Sequence, residues 1–438
     1  MGNIIYISQG GRNLFSLKEE GKLTKLVLGL VCCAFFLICL VSILKYGNST
    51  LLGSLTTPDN DDVKFIRSAW ILADTGNYIY HAPSTATVFM MPGVSFVLAF
   101  FVTIFGKFGG ITAYRIFQAI VQTGSLFLLF LIARKLFNSK VGIVAIILSS
   151  LSIADYWVPN LILTETFFKF FVLCLVYLSI YALEEQKARY YVLGGIVLGI
   201  ATLFRPTIAT FPIVILFIWI LRKYQFKTML KYTAIVAVVF CAVLSPWWVR
   251  NYNIFNKFIP LTLATGNPML QGTYINYDQT TSKTDGLDYT QFKYPAGSEI
   301  ANNEVEMKIS KYRLVNLVPK HPLEFLGWYT FGKASYQVAK PFFWSPEFLG
   351  VNAGMALLWH ALTLILSIIG GIFYYLDKKR KKIGTLAIAT IFYFILIYLP
   401  FYTMGRYFYP AMPLVIIFAA FAVVKVISTF EKKIVNGR

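Results

Sequence analysis

Acidic residues are scarce in this chain. Only 20 Asp and Glu stand against 40 Lys and Arg, and charged residues of both signs make up 14% of 438 positions. Soluble domains carry roughly 25%, so a water-soluble globular fold is excluded; with 57% of residues hydrophobic, the chain reads as an integral membrane protein. Histidine is rarer still: His81, His321 and His360 are too scattered to suggest a metal cluster, and no HExxH motif is present. The five cysteines, Cys32, Cys33, Cys39, Cys174 and Cys241, all fall inside apolar runs, without disulfide or zinc spacing, and read as small core residues. A Walker loop and a dinucleotide glycine pattern are also missing, which disfavours a soluble nucleotide-dependent enzyme. No internal repeat or low-complexity tract is evident. The net charge of +20 sits in short clusters between apolar runs, the pattern of cytoplasmic loops, and no basic domain of the kind that reads nucleic acid is present.

What is there is a series of apolar runs. They lie at about 26–44, 112–133, 141–154, 162–183, 191–204, 208–221, 231–249, 354–376, 384–402 and 411–429. Mixed residues precede the first run and no small-residue cleavage site follows it closely, so the N-terminus does not read as a cleavable signal. With the N-terminus inside, the basic stretches "ARKLFNSK", "EEQKARYY", "RKYQFK", "DKKRKK" and "EKKIVNGR" all fall on one side, which predicts ten spans with both termini cytoplasmic. The stretch Phe89–Phe105 is expected to be an interfacial or re-entrant helix opened by Pro92 and Gly93; a full crossing would give eleven spans. The organisation expected is a transmembrane module over 1–249 with an outside loop at 46–110, a large outside loop at 250–352, and C-terminal transmembrane helices over 353–438. The second loop is too long to be mere connection and is expected to be folded.

Ionisable groups at the outer boundary need a partner or a function. Asp61 and Asp62 open "DDVKFIRSAWILADTG", in which Phe65, Ala69 and Leu72 recur at helical spacing and Gly76 marks the end. This predicts an amphipathic surface helix with its acids in the first turn. A bland reading makes them a cap and a solvated turn. Adjacent helical residues face different ways, so at most one of the pair points into a given cleft. Glu165 lies within an apolar stretch after the turn "DYWVPN". It is read either as the partner of Lys169 at i and i+4 or as an acid facing a polar cavity, and burial cost favours the second. Arg205, Arg250 and Arg406 each fall at the outer end of a span, against the positive-inside bias. Snorkelling accounts for any one of them, whereas the set suits an anion, because the arginine fork gives bidentate hydrogen bonds to phosphate.

In that order, the acid pair, the "PG" stretch, "TE", "RP", "PWWVRNYNIFNKFIPLTLATGNPMLQGT" and "RYFYPAMPL" resemble the GT-C glycosyltransferases, above all the bacterial branch of protein O-mannosyltransferases and aminoarabinose transferases. The resemblance covers roughly 20–430. It implies an all-α polytopic fold of about 10–11 transmembrane helices, with amphipathic helices in the first outside loop, in a bacterial cytoplasmic membrane. It also implies transfer of a sugar, with inversion, from a polyprenyl-phosphate donor in the outer leaflet to an extracytoplasmic glycan, lipid or protein. Asp61 matches the family's catalytic acid, Asp62 the polar residue that follows it, and Glu165 the second acid. Arg205, Arg250, Lys333 and Arg406 are then the cations for the leaving phosphate, Lys333 resting on "HPLEFLGWYTFGK". One departure is Met90 in "TVFMMPG", where many relatives carry a basic residue. No cofactor is required by the resemblance; the acids are able to hold a divalent cation, but no ligand spacing demands one. The readings from other classes are a transporter of a lipid-linked anion and an inactive scaffold of the same fold.

Overall fold

A computed structural model of the chain describes residues 14–57, 59–295, 298–377 and 382–436. Residues 378–381 of the basic stretch "DKKRKK" and the end of the C-terminal tail lie outside them.

Seventeen α-helices are described: α1 Lys22–Tyr46, α2 Asp61–Thr75, α3 Gly93–Leu136, α4 Ser139–Ser150, α5 Ile153–Trp157, α6 Glu165–Glu185, α7 Ala188–Phe204, α8 Pro212–Leu221 and α9 Phe226–Phe255, then α10 Gly266–Gly272, α11 Glu299–Leu317, α12 Pro322–Gly327, α13 Lys333–Val338, α14 Ala353–Leu376, α15 Gly384–Leu396, α16 Gly405–Phe408 and α17 Met412–Asn436. The one sheet among the described residues is a two-stranded ribbon, Glu347–Phe348 against Val351–Asn352.

Among the described residues six helical segments are long and apolar enough to cross a membrane; α4 and the segment Ile153–Asn160 form an apolar pair bent by 68°, a broken span or a re-entrant loop, and three more apolar helices, Ala188–Phe204, Pro206–Leu221 and Gly384–Leu396, are shorter. These ten correspond one for one to the apolar runs of the sequence. The outward side chains confirm the membrane reading: on α1, Leu23, Leu26, Leu30, Leu37, Val41 and Leu44 form an exposed stripe, which in water would be an aggregation surface and in lipid is a solvated one.

Against α3 pack α1, α4 and α6, and α17 packs between α4 and α14. Close approach depends on small residues, as between membrane helices generally. A Cβ on Gly370 would lie 1.9 Å from the Phe418 carbonyl oxygen, so α14 and α17 are in backbone contact there.

The segment 93–105 does not continue straight into the rest of α3. Gly106 has φ 74° and ψ 173°, a region that only glycine enters readily. The chain folds back on itself: the rings of Phe101 and Phe117 are 5.4 Å apart, whereas a straight helix would separate them by about 24 Å. The first leg, roughly 20 Å long, is therefore one arm of a helical hairpin, with Phe96, Phe100 and Ile104 exposed on its outer side. Gly106→Ala is expected to cost about 1–3 kcal/mol. It would appear as a lowered melting temperature in detergent beside a control, Gly29→Ala, at an open site; equal melting of the two would contradict the hinge.

The two ends of the bundle carry different groups. At one end Arg134 meets Glu20 and Lys135 meets Glu184, while Arg222 donates to the carbonyl of Leu183. Three of the predicted basic loops thus share a face. The ends that carry Asp61, Glu165, Arg205 and Arg406 meet at the other.

Candidate active site

Helix α2 brings the first acid. Asn60 caps it, accepting from the Asp61 amide at 2.8 Å, and Gly76 ends it in the left-handed conformation. Phe65, Ile66 and Ala69 are buried against α3, so the predicted amphipathic face is formed. The two adjacent acids point to different tasks. Asp62 is wholly buried and accepts from the amides of Leu52 and Val63 at 2.6 and 2.8 Å, clamping the turn before the helix; burial pushes its carboxyl up. Asp61 keeps 35% of its side chain exposed, and accepts from the Tyr80 hydroxyl at 2.8 Å and from Arg406 Nη1 at 3.2 Å.

Glu165 opens α6 and is fully buried. The turn ahead of it is fixed by α3: Arg115 Nε donates to the Asn160 carbonyl at 2.7 Å, and Gln118 donates to the carbonyls of Pro159 and Leu161. One oxygen of Glu165 accepts from Arg406 Nε at 2.8 Å and from Arg205 Nη2 at 3.0 Å. The alternative partner, Lys169, is not used. Lys169 lies one turn deeper and pairs with Asp155 at 2.8 Å and with the Tyr409 hydroxyl at 3.0 Å, while two guanidiniums reach Glu165 at the helix end.

The structure therefore brings four predicted residues, Asp61, Glu165, Arg205 and Arg406, into one chain of charge-assisted hydrogen bonds. Arg406 comes from the C-terminal segment, so the site is shared between parts of the sequence more than 300 positions apart, as the Asp61 contact spans 345. Aromatic walls flank the arginines: Arg205 lies over Tyr407 at 4.9 Å, and Arg406 over Trp344 of the large loop at 6.0 Å. Glu165 Oε2 and Arg205 Nη1 are buried without a hydrogen-bond partner, which in an ordinary interior would be costly.

Arg250 and Lys333 make their contacts elsewhere. Arg250 donates to the carbonyls of Thr87 and Tyr78, bracing the loop between them. Lys333 donates to the Leu399 carbonyl at 2.7 Å over the ring of Tyr329, and burial pushes its ammonium down to about 7. Among the described residues no three His, Cys, Asp or Glu side chains converge as a metal-binding group. Asp61 and Glu165 face a guanidinium between them, so this donor set does not fit a cation as arranged.

Two features escape the sequence reading. Nothing in "NYIYHAP" marks Tyr80 as the partner of an acid 19 positions away. The buried set Asp155, Lys169, Tyr409, Gln122 and Ser149 was accessible in principle, since Asp155 in "DYWVPN" is as unusual beside apolar runs as Glu165.

Residues 86–249 match the family profile described as dolichyl-phosphate-mannose-protein mannosyltransferase. The chain superposes on the oligosaccharyltransferase of Archaeoglobus fulgidus in the apo form with a TM-score of 0.57 at 15% identity, over 95% of this chain and 52% of that one. The Archaeoglobus fulgidus oligosaccharyltransferase AglB in complex with an inhibitory peptide and a dolichol-phosphate gives 0.54 at 15% identity, with the same coverage. ArnT from Cupriavidus metallidurans bound to undecaprenyl phosphate aligns at 0.43 and 12% identity, over 90% of this chain and 77% of that one. The chain spans about half the length of the archaeal enzyme, 52%. Among curated proteins there is no significant match. At these identities the likeness establishes the architecture: this is a multi-pass membrane protein of the GT-C fold, with a dolichyl-phosphate-mannose-protein mannosyltransferase match over residues 86–249.

Proposed function

We propose that the protein transfers a sugar from a polyprenyl-phosphate donor to an acceptor at the membrane face opposite its basic loops. That face is extracytoplasmic if the basic loops are cytoplasmic, as the positive-inside bias has it, with both termini inside a bacterial membrane. The observation that carries the reading is the convergence of Arg205 and Arg406 on buried Glu165 beside the partly exposed Asp61.

The parts suit a single displacement. Asp61 is the carboxylate that solvent and an acceptor reach, and serves as general base. The phosphate leaves as an anion and needs positive charge rather than a second acid, in contrast to glycoside hydrolysis. Arg205 supplies it first: its unpartnered Nη1 offers a hydrogen bond where no protein atom takes one. Glu165 holds the two guanidiniums in register. With Met90 in place of a cation, these arginines carry the phosphate, while Arg250 and Lys333 brace the loops around it.

Free polyprenyl phosphate, the product of such a reaction, is then a ligand. The purified chain in detergent is expected to bind a short-chain polyprenyl phosphate, and Arg205→Gln to weaken that binding about 10–100-fold, the loss of one or two charge-assisted hydrogen bonds. Binding that is absent, or indifferent to Arg205, would contradict the proposal.

A further inference from the structure

A cleft opens beside the loop that carries Tyr80, the partner of Asp61. It has a volume of about 490 Å³ and is lined by His81, Thr85 and Phe89 from one side and by Asn267, Glu299, Asn302, Asn303 and Glu306 from the other, within the usual size of a small-ligand site, roughly 300–1,000 Å³. We propose that this cleft is the acceptor subsite and that it takes the end of a neutral carbohydrate chain. The inference rests on the reading of the Asp61 cluster as a transfer site.

Its construction starts from α11, where spacings of three, one and three residues put Glu299, Asn302, Asn303 and Glu306 on one face. Helix α10 is pressed against that face: a Cβ on Gly266 would lie 2.4 Å from the Asn303 carbonyl oxygen, and the Gly266 amide donates to Asn303 Oδ1 at 2.7 Å. Asn267 is thereby held facing the cleft, donating to Glu306 Oε1 at 2.9 Å and accepting from Gln271 at 2.9 Å. Across the cleft, Glu299 meets His81 Nδ1 and accepts from Thr87 Oγ1, each at 2.7 Å. Arg250, through its bonds to the carbonyls of Tyr78 and Thr87, sets the loop that carries this wall.

The lining selects a ligand class. It holds no Lys or Arg, so it is not built for an anion. Its two carboxylates are held in place by Thr87 and Asn267, with His81 Nδ1 against Glu299, so their oxygens are oriented acceptors. Apolar lining is confined to Phe89 and Ala82, too little to anchor apolar peptide side chains. What remains is a dense set of side-chain amides and carboxylates beside one aromatic ring, which matches hydroxyl groups and the C–H face of a sugar. Asn302 Oδ1, buried without a partner, is an acceptor for one of those hydroxyls.

The cleft also joins the base. Phe89 stacks on Tyr80 at 5.8 Å, and the Tyr80 hydroxyl is bonded to Asp61, so these two rings form a wall common to both. A terminal hydroxyl reaching past that wall attacks the anomeric carbon of the donor. Its oxygen forms the new glycosidic bond, its proton passes to the Asp61 carboxylate, and the bond from the anomeric carbon to the phosphate oxygen breaks, the polyprenyl phosphate leaving with the electron pair.

The test uses the full chain in lipid nanodiscs and saturation-transfer NMR with a mixture of maltose, cellobiose, mannobiose and chitobiose, together with spermidine and a Ser/Thr-containing acetylated hexapeptide. Saturation of ring protons of at least one disaccharide is expected, reduced at least fivefold in Asn302→Leu. Because that residue is partly buried, a second variant, Thr85→Trp, fills the cleft from an exposed loop position and is expected to reduce the signal as much at an unchanged melting temperature. Signal from spermidine or the peptide alone, no saccharide signal, or a saccharide signal that both variants leave intact would overturn the subsite. Polyprenyl phosphate binding by the unmodified chain, measured in parallel, reports on the transfer site itself, so a failure of that reading is seen separately.

Discussion

Asp61→Asn is expected to lower sugar transfer by about 10²–10⁴-fold, the usual contribution of a positioned general base, while the protein remains folded. The substitution keeps the shape of the side chain, its place beside the Asn60 cap and an oxygen able to accept from Tyr80; it removes the charge and the capacity to take a proton. Helix α2 does not depend on that charge, because its packing rests on Phe65, Ile66 and Ala69 and its preceding turn on Asp62. Undiminished transfer by the folded variant would remove Asp61 from the reaction.

The same residue sets a pH dependence. Burial alone would raise the Asp61 carboxyl, but the Arg406 guanidinium and the Tyr80 hydroxyl outweigh it and hold the group below its ordinary 3.8. The free protein thus keeps the base ionised down through pH 5, and kcat/KM for the donor is expected to show no acid limb from this group above that point. Once the donor phosphate shares Arg406, the pull on Asp61 weakens and its pKa rises, so the acid limb of kcat should lie at higher pH than that of kcat/KM.

Arg406→Leu carries the second large effect, on stability and rate together. Its Nε bonds to Glu165 and its Nη1 to Asp61, so one deletion leaves a fully buried carboxylate to Arg205 alone and strips the base of its cation. Breaking a buried pair by removing one partner costs about 3–5 kcal/mol, and losing one donor aimed at developing charge lowers kcat by about 10²–10³. Arg406→Lys separates the two losses. A point charge restores part of the melting temperature, but without the planar fork it cannot hold both acids, so transfer stays low. A wild-type rate for Arg406→Leu would show that the arginine is structural only.

How far these residues could be read from sequence depends on the range of the interaction that fixes them. The ten apolar runs are local features of composition, and each appears as a helix or bent pair. The cap and end of α2 follow from Asn60 and Gly76 for the same reason. The choice between Asp61 and Asp62 was half visible, since adjacent helical residues must diverge, yet only the contact with Leu52 shows which one turns inward. Glu165 stands out by burial cost and Arg205, Arg250 and Arg406 against the positive-inside bias, but which of the four candidate cations meet the acids cannot be sorted without tertiary structure. Arg205 and Arg406 reach the acids, whereas Arg250 and Lys333 meet carbonyl oxygens instead. The hairpin at Gly106 shows a further limit. The sequence separates Phe89–Phe105 from the run at 112–133, with Lys107 and three glycines between them, but it does not show that the chain reverses at Gly106 rather than at Gly109 or Gly110.

The central claim is that the bond between sugar and phosphate is broken at this cluster. The direct measurement uses the purified chain in nanodiscs and a synthetic polyprenyl-phosphate sugar labelled with one isotope in the phosphate and another in the sugar, incubated with cell-envelope acceptors. The account predicts that free polyprenyl phosphate and acceptor-bound sugar appear in equal amounts, and that both disappear with Asp61→Asn. Recovery of the doubly labelled lipid intact, whether left in place or moved to the opposite leaflet, would contradict it and mark the protein as a carrier or scaffold.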